Sequence, residues 1–278
     1  MSIVEPQDNV SAKTMGTGLH PVPHVAFDEV GVVYKSTRMT TTAVERLTAE
    51  VTRGTFVAIV GPSGCGKTTL LDLVAGLRPP SRGTVRINGS EVSGPRKDTA
   101  IVFQEDSTLH WRTVLDNIAF GLEIRKVGRE EREATAMEMI NALGLKGFER
   151  HKPGELSGGM RQRVAIGRAF ALNPDLLLMD EPFGALDQLT RRSVADLLLE
   201  LWWSKEASER KTVLFITHDT AEAVLLADEV WVLSPRPCRL LERVPVLLDR
   251  PRDRSLLTTP EFQRVVRQVE DTLDRGAA

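Results

Sequence analysis

The sequence FVAIVGPSGCGKTT, at residues 56–69, decides the fold. Its first five residues are all apolar, which predicts a strand buried on both faces at the centre of a parallel sheet. This strand runs into a glycine-rich loop of the pattern G-x-x-x-x-G-K-T. Leucine and valine then recur at helical spacing as far as Leu77. The stretch therefore predicts a strand, a tight loop and a helix in succession, which is the start of an α/β fold.

The loop pattern indicates a bound nucleoside triphosphate. Glycine has no Cβ, so backbone N–H groups can turn inward around a β-phosphate. Lys67 would reach the β- and γ-oxygens, and the Thr68 hydroxyl can ligate Mg²⁺. The following helix adds its N-terminal dipole. Cys65 either fills a position for a small residue or has a reactive thiol near that helix terminus. The residues assigned to ATP here are Gly61, Pro62, Ser63, Gly64, Cys65, Gly66, Lys67, Thr68 and Thr69.

A second buried strand ends in two carboxylates. Leu176–Met179 is apolar throughout and is followed by Asp180 and Glu181. We expect Asp180 to hold the magnesium shell and Glu181 to polarise the attacking water as a general base. Adjacent side chains on a strand point to opposite faces, so these two tasks require the strand to end here. Pro182 favours such an end.

A third segment carries a serine and two glycines ahead of a predicted helix. Ser157 would cap the helix from Met160 to Leu172, while Gly158 and Gly159 would let a γ-phosphate approach the backbone N–H groups. Lys67 and Ser157 are separated by a long helical stretch, so a single phosphate is hard to reach from both within one chain. The pattern favours an active site shared between two chains.

The three segments, in this order and spacing, resemble those of ATP-binding cassette (ABC) ATPase subunits. The resemblance runs from Val25 to about Leu233, and Met160 stands where the signature usually has glutamine. It implies an α/β fold: a P-loop NTPase (RecA-like) core with an antiparallel β subdomain and an inserted helical subdomain. It also implies an ATPase that uses ATP and Mg²⁺, in which the signature of one subunit completes the active site of the other.

The resemblance assigns roles to residues that carry no signal alone. Gln104 would sense Mg²⁺ and the γ-phosphate, His218 would be the switch that contacts the γ-phosphate, and Asp187 ends a loop linking the two sites. Tyr34 would stack on adenine, with core packing as the alternative. The implied catalytic set is Lys67, Gln104, Glu181 and His218; the metal set is Thr68, Gln104 and Asp180; the remaining nucleotide contacts are Tyr34, Ser157, Gly158, Gly159 and Asp187.

The chain divides into three parts. Residues 1–24 predict a flexible N-terminal tail, since they hold few large apolar groups. Residues 25–236 form the ATPase domain, and a helical insert at about 106–172 is broken near Gly128, Gly144 and Gly147. Residues 237–278 are a short C-terminal extension with one helix, Pro260–Leu273, too short for a β-barrel regulatory domain. Strands alternating with helices elsewhere favour a layered α/β core.

Composition limits the function classes. A net charge of −2, with 41% hydrophobic and 27% charged residues, is ordinary for a soluble protein and gives no electrostatic footprint for nucleic acid. Two cysteines make no disulfide framework, which suits a reducing cytosol. No uncharged apolar run approaches the roughly 18–20 residues needed to span a bilayer, and no secretory signal is apparent. A membrane role must therefore come through partners.

Four shorter segments resemble the nitrate/sulfonate/taurine importer subfamily. They are Gln104–Val114, Leu156–Arg163, Ser234–Pro237 and Arg250–Arg254, with His110 at a position where proline is commoner. The resemblance implies a homodimer on the cytoplasmic face of the inner membrane, two integral-membrane permease subunits and an extracytoplasmic solute-binding protein, importing a small anionic solute. Leu109, Trp111 and Arg112 are candidates for the permease contact, with a core role as the alternative for Trp111.

Two other functions fit parts of this pattern. An ABC-type ATP-driven clamp acting on nucleic acid is the alternative, although the chain has neither a second cassette nor a long coiled coil. A simple P-loop kinase is less favoured, because the Ser157 segment would have no task there. We expect no nucleic-acid partner.

Overall fold

The computed structural model describes residues 22–35, 39–203 and 209–277. The predicted tail therefore lies almost wholly outside the described residues. The strands in the described part are β1 (Val25–Lys35), β2 (Thr40–Val51), β3 (Phe56–Val60), β4 (Arg82–Ile87), β5 (Ser90–Glu91), β6 (Thr99–Val102), β7 (Leu176–Asp180), β8 (Thr212–Ile216), β9 (Glu229–Leu233) and β10 (Leu240–Pro245).

The α-helices of the same residues are α1 (Lys67–Val74), α2 (Val114–Ile124), α3 (Arg129–Ala142), α4 (Gly158–Ala171), α5 (Gln188–Trp202), α6 (Thr220–Leu226) and α7 (Pro260–Ala277). No helix in the described ranges is both long enough and apolar enough to cross a membrane.

The central sheet has the strand order β10-β9-β3-β8-β7-β6. Strands β9, β3, β8, β7 and β6 run parallel to one another, and β10 pairs antiparallel to β9. Every residue of β3 and β8 is buried, as the apolar runs predicted. Because the parallel strands all end at one edge, the segments that follow β3, β6, β7 and β8 meet there. The phosphate-handling segments therefore share one edge of the sheet.

A second, antiparallel sheet of order β2-β1-β4-β5 covers one side of the core. Val57 and Ile59 of β3 pack with Leu70 of α1 and with side chains of this sheet, such as Phe27. Phe56 and Ala58 face the opposite way, toward the helices. The alternation along β3 thus joins two apolar layers. The predicted α/β class with an antiparallel β subdomain is confirmed.

The insert is helical, as predicted. The side chain of Thr113 caps α2 by accepting a hydrogen bond from the Asp116 N–H, and α2 ends before Gly128. Helix α3 ends before Gly144, whose φ of 63° suits glycine. A Cβ at Gly167 of α4 would lie 2.4 Å from Leu143 Cδ1, so the absence of a side chain there permits close packing.

The sequence patterns predicted neither β2 nor β10, nor the two-residue strand β5. In β2 the buried residues alternate with charged and polar ones, so its apolar content is low. β10 is an edge strand in which Glu242 bonds to Gln268 and Thr272 of α7 while Arg243 is exposed, in a segment for which only a helix was predicted. Helix α7 also extends to Ala277, beyond the predicted end at Leu273. Pairing with β9 makes β10 part of the central sheet, which short-range patterns could not indicate.

Candidate active site

The loop after β3 has the geometry of a phosphate cradle. Gly64 and Gly66 have φ values of 71° and 128°, a region that L-residues with a side chain avoid. A Cβ at Gly61 would lie 3.2 Å from Cys65 Sγ. Lys67 is 6% exposed, and its Nζ donates hydrogen bonds of 2.8 and 3.1 Å to the carbonyls of Gly61 and Pro62. The ammonium group is thus held within the loop, with protein carbonyls as its acceptors.

β7 ends between the two predicted carboxylates. Asp180 is its last residue, and Glu181 has a φ of 43°, which is incompatible with a continuing strand. Its N–H donates to the Ile216 carbonyl at 3.1 Å, so the turn is fastened to β8. Burial raises the pKa of Asp180, neighbouring Glu181 adds to the rise, and a side-chain hydrogen bond with Thr68 opposes it. Asp180 and Thr68 are therefore in contact.

His218 lies against the predicted general base. Its Nδ1 is 3.3 Å from Glu181 Oε2. The histidine is exposed and follows buried Thr217 at the end of β8. Parallel pairing of β7 with β8 brings the two residues together although 37 positions separate them. The arrangement leaves the imidazole open to a phosphate while it contacts the carboxylate.

An open cleft of about 620 Å³ lies beside this edge. Gln104 lines it together with Gly158, Arg161 and Ala185, so the segment after β6, the start of α4 and the loop before α5 share one surface. Asp187 caps α5 by accepting hydrogen bonds from the N–H groups of Leu189 and Thr190, both at 3.1 Å. Gln104 thus shares a cleft with the start of α4, while Asp187 accepts hydrogen bonds from N–H groups of its own chain.

The signature segment caps a helix and stays exposed. Ser157 Oγ accepts a hydrogen bond of 3.3 Å from the Met160 N–H, and a Cβ at Gly159 would lie 2.1 Å from Thr190 Cγ2. Ser157 and Gly158 are exposed. Among the described residues, no hydrogen bond joins this segment to the loop around Lys67. The open helix terminus is free for a group from outside the chain.

Tyr34 is tied to the nucleotide loop. Its hydroxyl lies 3.0 Å from Thr69 Oγ1, and the Arg78 guanidinium carbon lies 4.5 Å from the centre of its ring. The side chain is half-buried, at the end of β1. One ring face is therefore covered by Arg78, and only the other can take a base. Trp111, by contrast, is 72% exposed, so the alternative of a core role for it is wrong.

Several contacts of the site carried no sequence signal. Arg236 donates a hydrogen bond of 2.6 Å to the Gly64 carbonyl, and Arg161 donates to Asp106 at 2.8 Å. Cys238 forms a bridge with β2 and contacts Cys65. The hydrogen bond between Cys238 and Cys65, together with the charge of nearby Lys67, lowers the pKa of the buried Cys65 thiol. These partners lie far apart in the chain, so no local pattern could have paired them.

The residues present fit ATP with Mg²⁺. The glycine cradle and the enclosed Lys67 suit a polyphosphate, and the Thr68–Asp180 pair offers hard oxygen ligands. No group of three or more His, Cys, Asp or Glu in the described ranges is placed to hold a metal ion. This agrees with Mg²⁺, which takes one or two protein ligands and completes its shell with phosphate oxygens and water.

Comparison with known proteins decides the family. The family model described as ABC transporter matches residues 44–184. The chain belongs to the ABC transporter family. It is an ATP-binding subunit and an ATPase, as the sequence predicted.

This ABC subunit has similar relatives of known and unknown role. It is 48% identical over 215 residues to the taurine import ATP-binding protein TauB of Burkholderia pseudomallei (strain 1710b). The aligned residues make up 77% of this chain and 81% of that protein. It is 46% identical over 227 residues to an uncharacterized ABC transporter ATP-binding protein, MJ0412, of Methanocaldococcus jannaschii, covering 82% and 84%. The predicted resemblance to the importer subfamily is confirmed.

A solved structure shares the fold. The dimeric ATP-binding cassette MJ0796, in a post-hydrolysis state bound to ADP and phosphate, matches the ABC subunit with a TM-score of 0.70 and 30% identity. The match covers 81% of this chain and all of that one. The predicted ABC ATPase fold is confirmed, and a nucleotide-binding cassette of the same fold forms dimers.

Proposed function

We propose that this subunit energises import of a small anionic solute of the nitrate, sulfonate or taurine class. The observation that carries the proposal is its 48% identity, over most of both chains, to a taurine import ATP-binding protein. The nucleic-acid clamp receives no support, because the similar proteins named above are transporter subunits or cassettes. The solute itself is recognised elsewhere, since an ATPase subunit does not touch the cargo.

The hydrolytic chemistry follows from the edge of the central sheet. Lys67 and the loop N–H groups bind the phosphates, and Glu181 accepts a proton from the water that attacks the γ-phosphorus. The bond from the γ-phosphorus to the bridging oxygen breaks, and ADP leaves. Thr68, Asp180 and Gln104 would hold Mg²⁺, which neutralises charge on the phosphates. His218, 3.3 Å from Glu181, would contact the γ-phosphate.

The site is completed by a second copy. Ser157 and Gly158 are exposed at the start of α4, with Gly159 next to them, and the described hydrogen bonds do not connect this segment to the loop around Lys67 of the same chain. A head-to-tail dimer would place them, with Asp187, at the partner's γ-phosphate and create two equal sites. MJ0796 is dimeric in its solved structures, which supports this arrangement.

The insert would transmit the motion to a membrane partner. Trp111 is largely exposed, beside Leu109 and Arg112 at the start of the insert. Arg112 is fixed by a 2.6 Å ion pair with Glu123 and by its contact with the Phe120 ring. We assign this surface to two permease subunits at the cytoplasmic face of the inner membrane, served by an extracytoplasmic solute-binding protein. The ATPase domain is assigned to residues 25–236, with the insert at about 106–172, and the extension 237–278 packs onto it by adding β10 to the central sheet.

A mixed-dimer experiment tests the shared site. Lys67→Ala damages one cradle, and Ser157→Arg blocks one signature. Each homodimer should be inactive. A crosslinked heterodimer has both lesions in one composite site and an intact second site, so it should occlude one ATP per dimer. Occlusion of none, or of equal fractions at both interfaces, contradicts the shared site. Co-purification with the permease encoded beside it, and solute uptake by the assembled complex, test the transport role.

A further inference from the structure

Glu222 contacts the residue before His218 and takes no part in the hydrolytic steps proposed above. It is the third residue of α6, the helix that begins two positions after His218. Its Oε2 accepts a hydrogen bond of 2.6 Å from the Thr217 hydroxyl. Thr217 itself is 3% exposed, so this bond is shielded from solvent on one side. The carboxyl group therefore contacts the residue that immediately precedes His218.

The same contacts fix the backbone on both sides of His218. Thr217 Oγ1 also accepts a hydrogen bond of 3.1 Å from the Asp219 N–H, and Asp219 in turn accepts one of 2.9 Å from the Glu222 N–H. The Thr217 N–H donates to the Ile59 carbonyl of β3 at 3.3 Å. His218 thus lies in a short loop that hydrogen bonds among Thr217, Asp219 and Glu222 close. The His218 ring contacts Glu181.

The charge state of Glu222 matters for an anionic substrate. Burial raises its pKa to about 7; nearby Asp219 adds to the rise, while the Thr217 hydroxyl, Arg191 and His218 oppose it. Arg192 and Arg254 also line the cleft beside it. A neutral carboxyl group can still accept the Thr217 hydrogen bond. An ionised one adds a second negative charge beside Asp219.

We propose that Glu222 is a positioning residue for ATP hydrolysis, which through Thr217 holds His218 at Glu181. The proposal rests on the proposed hydrolytic site. It predicts that losing the carboxyl group affects turnover rather than nucleotide affinity, because Glu222 touches His218's backbone loop and not the phosphate cradle.

The test compares Glu222→Ala and Glu222→Gln with Glu270→Ala as the matched control. Glu270 also contacts α6, accepting a 3.0 Å hydrogen bond from Thr220, but does not reach Thr217. With the full-length protein, kcat and KM for Mg-ATP are measured from pH 6 to 9. We expect Glu222→Ala to lower kcat about tenfold or more with KM unchanged. Glu222→Gln keeps an acceptor for the Thr217 hydroxyl, so it should keep kcat within about threefold of the parent's.

Thr217 tests the same bond from its other end if a Glu222 variant does not fold. Thr217→Val should lower kcat as Glu222→Ala does, and Thr217→Ser should restore it. An unchanged kcat in Glu222→Ala or Thr217→Val overturns the proposal, as does an equal loss in Glu222→Gln. A parent-like rate in Glu181→Gln instead refutes the proposed hydrolytic site, independently of Glu222.

Discussion

Asp106 and Arg161 join two segments of the site that are 55 positions apart. Arg161 Nε donates a hydrogen bond of 2.8 Å to Asp106 Oδ2, and its Nη1 donates to the Leu156 carbonyl at 2.8 Å. Burial opposes ionisation of Asp106, but hydrogen bonds from Thr108 and Arg161 hold its pKa below the ordinary value. The segment after Gln104 is thus bonded to the helix that carries the signature, so the two should move as one body.

Removing this bond should destabilise the insert. Asp106→Asn should lower the free energy of unfolding by about 1–2 kcal/mol, because a partly buried charged hydrogen bond is lost. Glu133→Gln, which breaks the exposed pair with Arg129, is the control and should change the free energy of unfolding much less. Urea denaturation measures both changes. Equal losses in the free energy of unfolding would show that the contact between Asp106 and Arg161 stabilises the protein no more than an exposed ion pair does.

Glu181→Gln should abolish turnover and preserve binding. Without a carboxylate to accept the proton, the rate should fall about 10²–10⁴-fold, while ATP holds the two subunits together. Steady-state ATPase assays and gel filtration with ATP measure these two effects. Glu130→Gln on the exposed side of α3 is the control. A rate near that of the parent would remove Glu181 from the role of general base.

Two substitutions of Tyr34 should have different effects, one on the affinity for ATP and the other on the stability of the fold. Tyr34→Ala should weaken ATP binding by about 1–3 kcal/mol, the range for a base stacked on an aromatic ring. Tyr34→Phe keeps the ring but loses the bond to Thr69, so it should cost about 1 kcal/mol of stability and little affinity. Calorimetric titration and thermal melting distinguish the two. If Tyr34→Ala binds ATP like the parent, the adenine lies elsewhere.

His24 should make stability depend on pH. Burial lowers its pKa from 6.5 to about 4; Nδ1 bonds the Thr212 hydroxyl, and buried Nε2 has no partner among the described residues. Because the unfolded state takes up the proton more readily, the stability it contributes is complete above pH 6.5 and is lost as pH falls toward 4. Relative to His24→Gln, the parent should lose about 3 kcal/mol across that window. A constant difference in urea denaturation would refute this.

Arg252 should be needed for folding. Its buried guanidinium donates to the carbonyls of Val224, Ala227, Val246 and Leu248, which ties the C-terminal segment to α6. Arg252→Ala leaves these carbonyls unpaired and should cost about 3 kcal/mol or more. Arg239→Ala, which breaks an exposed pair with Glu45, should cost under about 1 kcal/mol. A similar loss in both, by thermal melting, would contradict the buried role.

Short-range patterns predicted much of the fold and site. The apolar run of β3, the glycine loop and Lys67 lie within a few residues of one another, so local conformation and period suffice to identify them. The same holds for β7 with Asp180 and Glu181, and for Ser157 at the start of α4. β2 and β10 were missed because each buries one face only and carries charge on the other.

The sequence by itself therefore determined the strand–loop–helix with its glycine cradle, the acidic strand end, the serine–glycine cap of α4 and the family. The tertiary structure alone decided that His218 meets Glu181, that Arg161 reaches Asp106 and that β10 and Arg252 belong to the core. These contacts depend on strand order and register. They are set by the packing of the whole sheet and not by the residues next to them in the chain.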